Sequence, residues 1–284
     1  MGSGYMIDKI NKTKKSLLIF AHHSSGYVSL DTEVYLKELS KYFTDVIVAT
    51  TYEGFLDLPY TIQSYKNEAR DFGLYSKAIL NNDITIYDRV AFVNDSNSLV
   101  GSFQEIFKWA EVNGLDMWGL TDSDEVHPYV PGWNRYHIQS HFLVFEKIAV
   151  SHLNTFFDDL EFWLPVSAHD QESQRIRVIV CYEYGLSNYM SQKGLRLGAK
   201  FSLKNWKQIL KNESQERKIR LKGRFNMHLH LWEELINDGY PLIKNKIIRG
   251  EWDAPAREQD DNTHVISNPL NRHKYYQYGM GKII

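Results

Sequence analysis

Two apolar runs in this chain stop abruptly in carboxylates and small polar residues. They are Ala91-Phe92-Val93-Asn94-Asp95-Ser96 and Trp118-Gly119-Leu120-Thr121-Asp122-Ser123-Asp124-Glu125. A buried parallel strand that ends this way opens into the crevice where α/β proteins bind ligands. A carboxylate there can hold a divalent cation that bridges a diphosphate. For Asn94-Asp95-Ser96 the competing reading is an Asx-turn or a helix cap. For Asp122, Asp124 and Glu125 it is a solvated acidic turn; a calcium loop is excluded because Val126 stands where that pattern needs Asp or Asn. A third polar cluster surrounds Arg70 and Asp71. Arg70 is suited to pair with phosphate as a bidentate donor and Asp71 to accept from ribose hydroxyls, or the two cap a helix as a local pair. Glu183 follows an apolar run and precedes a polar one. Such a carboxylate can act as a general base when its surroundings raise its pKa, or it is a helix N-terminal Glu facing the dipole. His137, Gln139 and His141 alternate along one segment. That spacing favours a polar pocket wall over a zinc site, which would need the histidines on a helix.

The elements that must position these residues follow from periodicity. Residues 16–21 (SLLIFA), 45–50 (DVIVAT), 89–93 and 116–120 read as strands. Helical spacing of apolar residues marks 30–43, 68–81 and 101–113, the last closed by Gly114 as a C-cap. This alternation predicts right-handed crossovers and a mainly parallel sheet. Further along, 137–146 (HIQSHFLVFE) alternates with period two and reads as one strand. Residues 175–182 (RIRVIVCY) read as another strand, with a helix from Glu183. Residues 201–221 read as polar and partly helical. Residues 226–239 read as an amphipathic helix stopped by Gly239 and Pro241, and 253–271 as a charged loop. One domain over 7–284 is expected, divided into a nucleotide-binding half (7–125) and an acceptor half (126–284).

Composition narrows the function. A net charge of −2 leaves no electrostatic footprint for nucleic acid. The single cysteine, Cys181, excludes a disulfide framework and a cysteine zinc site. No apolar stretch spans a bilayer and no secretory signal opens the chain, so a cytoplasmic protein is expected. The basic stretch 200–224 reads first as a solvated helical face, and otherwise as the candidate surface for peripheral attachment to an anionic membrane face.

Taken in order, several segments resemble the rhamnan synthesis protein F family of bacterial glycosyltransferases. They are Glu68-Ala69-Arg70-Asp71-Phe72-Gly73, Phe92-Val93-Asn94-Asp95-Ser96, Trp118-Gly119-Leu120-Thr121, Tyr136-His137-Ile138-Gln139-Ser140-His141-Phe142, Tyr182-Glu183-Tyr184-Gly185-Leu186-Ser187, and Trp232-Glu233-Glu234-Leu235-Ile236 leading to Pro241-Leu242-Ile243-Lys244. The resemblance implies an α/β, fold-A (GT-A-like) domain that transfers a sugar, with L-rhamnose the first candidate. The donor would be a dTDP-, UDP- or GDP-linked sugar and the acceptor a cell-surface polysaccharide or its lipid-linked precursor. It implies a nucleotide-sugar set of His22, Thr50, Arg70, Asp71, Asn94, Asp95 and Ser96, and an acceptor set of Trp118, Thr121, His137, Gln139 and His141. Glu183 falls where inverting fold-A enzymes carry their base, with Asp122 as the alternative. Asp95, with His228, would ligate Mg²⁺ or Mn²⁺. Asn94-Asp95-Ser96 lacks the second carboxylate of a full Asp-x-Asp motif, which leaves the need for a metal open. The rival reading is a non-catalytic carbohydrate-binding module on such a scaffold.

Overall fold

A computed structural model describes residues 14–23, 26–66, 69–124, 135–161, 178–206 and 226–251. The expected charged loop at 253–271, the cluster residues Asn67, Glu68 and Glu125, and most of the basic stretch 200–224 lie outside the described residues.

The first strand, β1 (Ser16–His22), is buried along its whole length. The chain then builds α1 (Leu30–Leu39), β2 (Asp45–Thr50), β3 (Thr61–Ser64), α2 (Arg70–Leu80), β4 (Arg89–Asn94), β5 (Asn97–Leu99), α3 (Gln104–Asn113) and β6 (Met117–Ser123). β1 pairs in parallel with β2 and β4, and β2 with β3. Side chains of a strand alternate between faces, and the core divides accordingly. Leu17, Ile19, Val90 and Phe92 pack on one side with α2. Leu18, Phe20, Ala91 and Val93 pack on the other with α1 and α3. The mainly parallel α/β sheet flanked by helices is the architecture that the alternation predicts. Gly114 closes α3 in the left-handed conformation, φ 58°.

The second half departs from expectation. The segment 137–146 is two strands, β7 (His137–Ile138) and β8 (Phe142–Glu146), separated by a turn at 139–141. β8 inserts antiparallel between β4 and β6. β4 and β6 therefore point the same way but lie two strands apart, about 10 Å. Helices α4 (Lys147–Val150) and α5 (Leu153–Glu161) follow. The expected strand at 175–182 is corrected: within its described part, Ile179–Tyr184 forms a π-helix that runs into α6 (Gly185–Gln192). A short apolar run does not distinguish a buried strand from a buried helix. Here Tyr182 packs against Phe72 and Phe157 under the sheet. A strand absent from the sequence reading, β9 (Leu197–Phe201), extends the sheet parallel to β6. The amphipathic segment at 226–239 is two short helices, α7 (Met227–His230) and α8 (Trp232–Asn237). β10 (Leu242–Lys244) then pairs antiparallel with β5 and leads into α9 (Asn245–Ile248). Among the described residues no helix is long and apolar enough to cross a membrane.

Gly119 is where β6 passes β7 and β8. A Cβ there would lie 2.3 Å from Ile138 Cγ2 and 2.7 Å from the Phe142 carbonyl oxygen. The carbonyl belongs to the strand ladder and has no room to move. Gly119→Ala should therefore cost about 1–3 kcal/mol by overpacking, read as a lower denaturant midpoint with an unchanged slope.

Candidate functional site

A cleft of about 480 Å³ opens at the carboxyl ends of β1 and β4. His22, His23, Asp95 and Ser96 form one wall. Ser29 and Thr32, at the first turn of α1, form a second. Lys244, Lys246 and Arg249, from β10 and α9, form the third.

Strand alternation sorts the first wall. His22 Nδ1 donates to Asp95 Oδ2 at 2.7 Å, and the His23 backbone N–H donates to the same oxygen at 2.9 Å. The His23 side chain turns to the other face, where Nε2 meets Asp71 Oδ1 at 2.6 Å. Asn94 Nδ2 donates to Asp71 Oδ2 at 2.7 Å. The ends of β1 and β4 and the start of α2 are thus tied through two carboxylates. Burial alone would favour neutral His23, but its hydrogen bond with Asp71 and the charges of Asp71 and Asp95 raise its pKa above the ordinary value. Ser96 turns back onto Asn94, with Oγ donating to Asn94 Oδ1 at 2.6 Å. That is an Asx-type turn at the strand end, the competing reading of Asn94-Asp95-Ser96, and Asp95 lines the cleft as well. Arg70 opens α2 with φ 53°, a strained conformation for a residue other than glycine. It is exposed, and its charge opposes protonation of His23.

The basic wall is fixed to the acidic one by Asn245. Its Nδ2 donates to the Asp95 carbonyl at 2.8 Å, its N–H to the Ser96 carbonyl at 3.0 Å, and its Oδ1 accepts from Ser98 Oγ at 2.7 Å. Burial and the neighbouring Lys246 charge push the Lys244 amine down to about 8, against the charges of Glu183 and Asp71. Sequence reasoning assigned no role to Lys244, Lys246 or Arg249. A basic residue on a three-residue strand carries no local signal, and its nearness to Asp95 comes from the pairing of β10 with β5, where Lys244 lies opposite Asn97.

Glu183 sits on the π-helix rather than at a strand end. Its Oε1 accepts from the Ser140 N–H at 3.0 Å. Phe142 pairs with Val93, so the turn that contains Ser140 emerges between the ends of β4 and β6. Glu183 is therefore held at the middle of the same sheet edge, within electrostatic reach of Lys244.

Other expected site residues lie elsewhere. Trp118, expected as an acceptor contact, sits in the core. It is fully buried against Phe107, Trp109 and Phe142, and its Nε1 donates to Glu146. Thr50 is fully buried, and its Oγ1 accepts from the Tyr52 N–H. Thr121 donates to Gln139 Oε1 at 2.6 Å and fastens β6 to the 139–141 turn. His137 stacks on Tyr184, with ring centres 3.9 Å apart. The three residues expected on one strand face are thus split between a strand and a turn. Asp122 is buried and accepts from the Leu203 N–H at 2.6 Å. Burial outweighs its hydrogen bonds from Leu203, Ser202 and Tyr136, and raises its pKa. It anchors the chain after β9 and does not line the cleft.

His141 and His228 are buried behind Lys244. Their rings lie 4.4 Å apart, and His141 Nε2 shares a 2.7 Å hydrogen bond with the Tyr240 hydroxyl. Neither nitrogen of His228 has a hydrogen-bond partner among the described residues. Burial, with the positive charge of Lys244, holds both imidazoles well below their ordinary pKa.

The donor set fits a divalent cation poorly. Both oxygens of Asp71 and one of Asp95 are occupied by hydrogen bonds. Asp95 Oδ1 remains, and so does His22 Nε2, which is buried with no hydrogen-bond partner among the described residues; Lys244 and Lys246 line the same cleft. His228 adds a nitrogen that already feels the charges of Lys244 and Lys246. Among the described residues no three His, Cys, Asp or Glu side chains are grouped to hold a metal ion.

Comparison with curated protein sequences finds no significant match. Solved structures that match include a putative glucose-1-phosphate thymidylyltransferase from Bacillus anthracis, at 9% identity and TM-score 0.40, over 70% of this chain and 97% of that one. Mannosyl-3-phosphoglycerate synthase from Rubrobacter xylanophilus matches at 9% identity and TM-score 0.38, over 66% and 78%. The glycosyltransferase GlyE of Streptococcus pneumoniae matches at 10% identity and TM-score 0.35, over 94% and 60%. At these scores the likenesses assign no role to any residue here. The model of the family described as rhamnan synthesis protein F matches residues 32–278, most of the sequence and all of the cleft's basic wall, and the chain belongs to that family.

Proposed function

We propose that the protein is a glycosyltransferase that moves a sugar from a nucleotide-sugar donor to a cell-surface polysaccharide or its lipid-linked precursor, with inversion at the anomeric carbon. The family membership makes L-rhamnose from a dTDP-linked donor the first candidate. The observation that carries the reading is the cleft at the ends of β1 and β4, with its fixed carboxylate wall opposite Lys244, Lys246 and Arg249. Such a cleft suits a ligand that joins hydroxyl-rich parts to a polyanion. Glu183, at the centre of the same edge, is the general base that takes the acceptor's proton.

Calorimetric titration with dTDP, UDP and GDP tests this. One of the three should bind, and more tightly than its monophosphate. Binding should weaken by about fivefold between pH 8 and pH 9, because the Lys244 amine, held near 8, loses most of its charge there. The charged and titratable groups acting on Lys244 are Lys246, Glu183, Asp71, His141 and His228. Of these His141 and His228 are already neutral across that range, which leaves Lys244 to set the slope. If no nucleotide binds but glycans do, the protein is a carbohydrate-binding module and not a transferase.

A further inference from the structure

We propose, building on the nucleotide-sugar reading, that the donor diphosphate is held and neutralised by the basic strip of β10 and α9, and that transfer proceeds without a divalent cation. Three observations carry this. Three of the four oxygens on the carboxylates that would ligate a metal, all but Asp95 Oδ1, hold the edge together. Asp71 is occupied at both oxygens by His23 and Asn94, and Asp95 accepts two donors on Oδ2. The cleft wall facing Asp95 brings its own basic side chains, Lys244 and Lys246, with Arg249 beside them held in an ion pair by Glu251. The strip is also rigidly registered: β10 pairs with β5 directly after Asp95, and Asn245 bonds to the Asp95 and Ser96 carbonyls. A preorganised cation needs no reorganisation when charge develops on the leaving group. A divalent ion in the same place would be repelled by the Lys244 ammonium.

The step balances without a metal. The acceptor oxygen forms a bond to the anomeric carbon as the bond from that carbon to the diphosphate oxygen breaks. The electron pair of the broken bond stays on the diphosphate, whose added negative charge faces Lys244 and Lys246. The acceptor proton passes to Glu183 and then to solvent.

The test is nucleoside-diphosphate binding and sugar transfer by the full chain, measured in EDTA and again with Mn²⁺ or Mg²⁺. Diphosphate affinity and turnover should be the same in both conditions. Lys244→Met should weaken diphosphate binding at pH 7 by at least about tenfold while changing monophosphate binding far less, since it removes a charge-assisted contact to the distal phosphate. Arg249→Gln, at an exposed position where folding is not at stake, should weaken diphosphate binding in the same direction. Binding or turnover that appears only with a divalent cation overturns this inference alone. Unchanged diphosphate affinity in both variants also overturns it. Absence of nucleotide binding in every condition overturns the donor reading, and this inference with it.

Discussion

Glu183→Gln should lower sugar transfer by two to four orders of magnitude while leaving donor binding intact, because it removes a general base and little else. The substitution is close to isosteric, and the glutamine oxygen can still accept the Ser140 N–H that fixes this side chain at 3.0 Å. The π-helix that carries residue 183 packs through Tyr182 and Tyr184, which the substitution does not touch. Glu183 does not line the diphosphate cleft, and at about pH 6.5, well below the Lys244 value of about 8 that Glu183 helps to hold up, nucleotide affinity should stay within about twofold of wild type. The measurement is single-turnover transfer together with calorimetry on the same preparation. Near-normal turnover with intact binding would remove Glu183 from the role of base. Loss of nucleotide binding together with activity would make it a structural residue.

Arg89→Leu should destabilise the protein by about 3 kcal/mol, at the low end of the range for breaking a buried ion pair because its carboxylate partners are partly exposed. Arg89 is 3% exposed and sits at the amino end of β4, across the sheet from the cleft. Its Nε donates to Glu146 at 2.7 Å and its Nη2 to Glu111 at 2.6 Å. Trp118 Nε1 shares the same Glu146 oxygen at 3.2 Å. This network staples β8 to β4, since Arg89 and Glu146 are register partners. Without the guanidinium, Glu111 and Glu146 are left facing one another, with Lys14 the one cation near both among the described residues. The midpoint of thermal unfolding should fall by roughly 6–12 °C for a chain of this size. Nucleotide affinity at temperatures well below the transition should be unchanged. A shift of less than about 2 °C would show that the pair contributes no more than a surface salt bridge.

The sequence makes the first half of the fold legible for a simple reason. β1, β2, β4 and β6 are each continuous apolar runs, and the helices between them keep a clear helical spacing. It is less legible where a signal is shared between structures. Ile179–Tyr184 is apolar enough for a strand and is a π-helix. β9 is diluted by Gly198 and Lys200, so it leaves no run to read. The turn at 139–141 contains neither Gly nor Pro, and period-two alternation continues through it, which hides the break between β7 and β8. At the site, Asp95, Asp71, Asn94 and His22 do meet at one edge, because each stands at the end or start of an element whose direction the alternation fixes. Trp118 misleads because an aromatic next to a polar strand end looks like a ligand rim, yet its position along β6 points it into the core. Lys244, Lys246 and Arg249 are invisible to local reading, since only the pairing of β10 with β5 brings them to Asp95.

The most direct test of the central claim is a crystal structure of the protein with the nucleoside diphosphate that binds most tightly. The diphosphate should lie between the Asp95 wall and the Lys244–Arg249 strip, with the Lys244 amine within hydrogen-bond distance of a phosphate oxygen. A nucleotide bound away from the ends of β1 and β4, or one whose phosphates avoid the basic strip, would contradict the account.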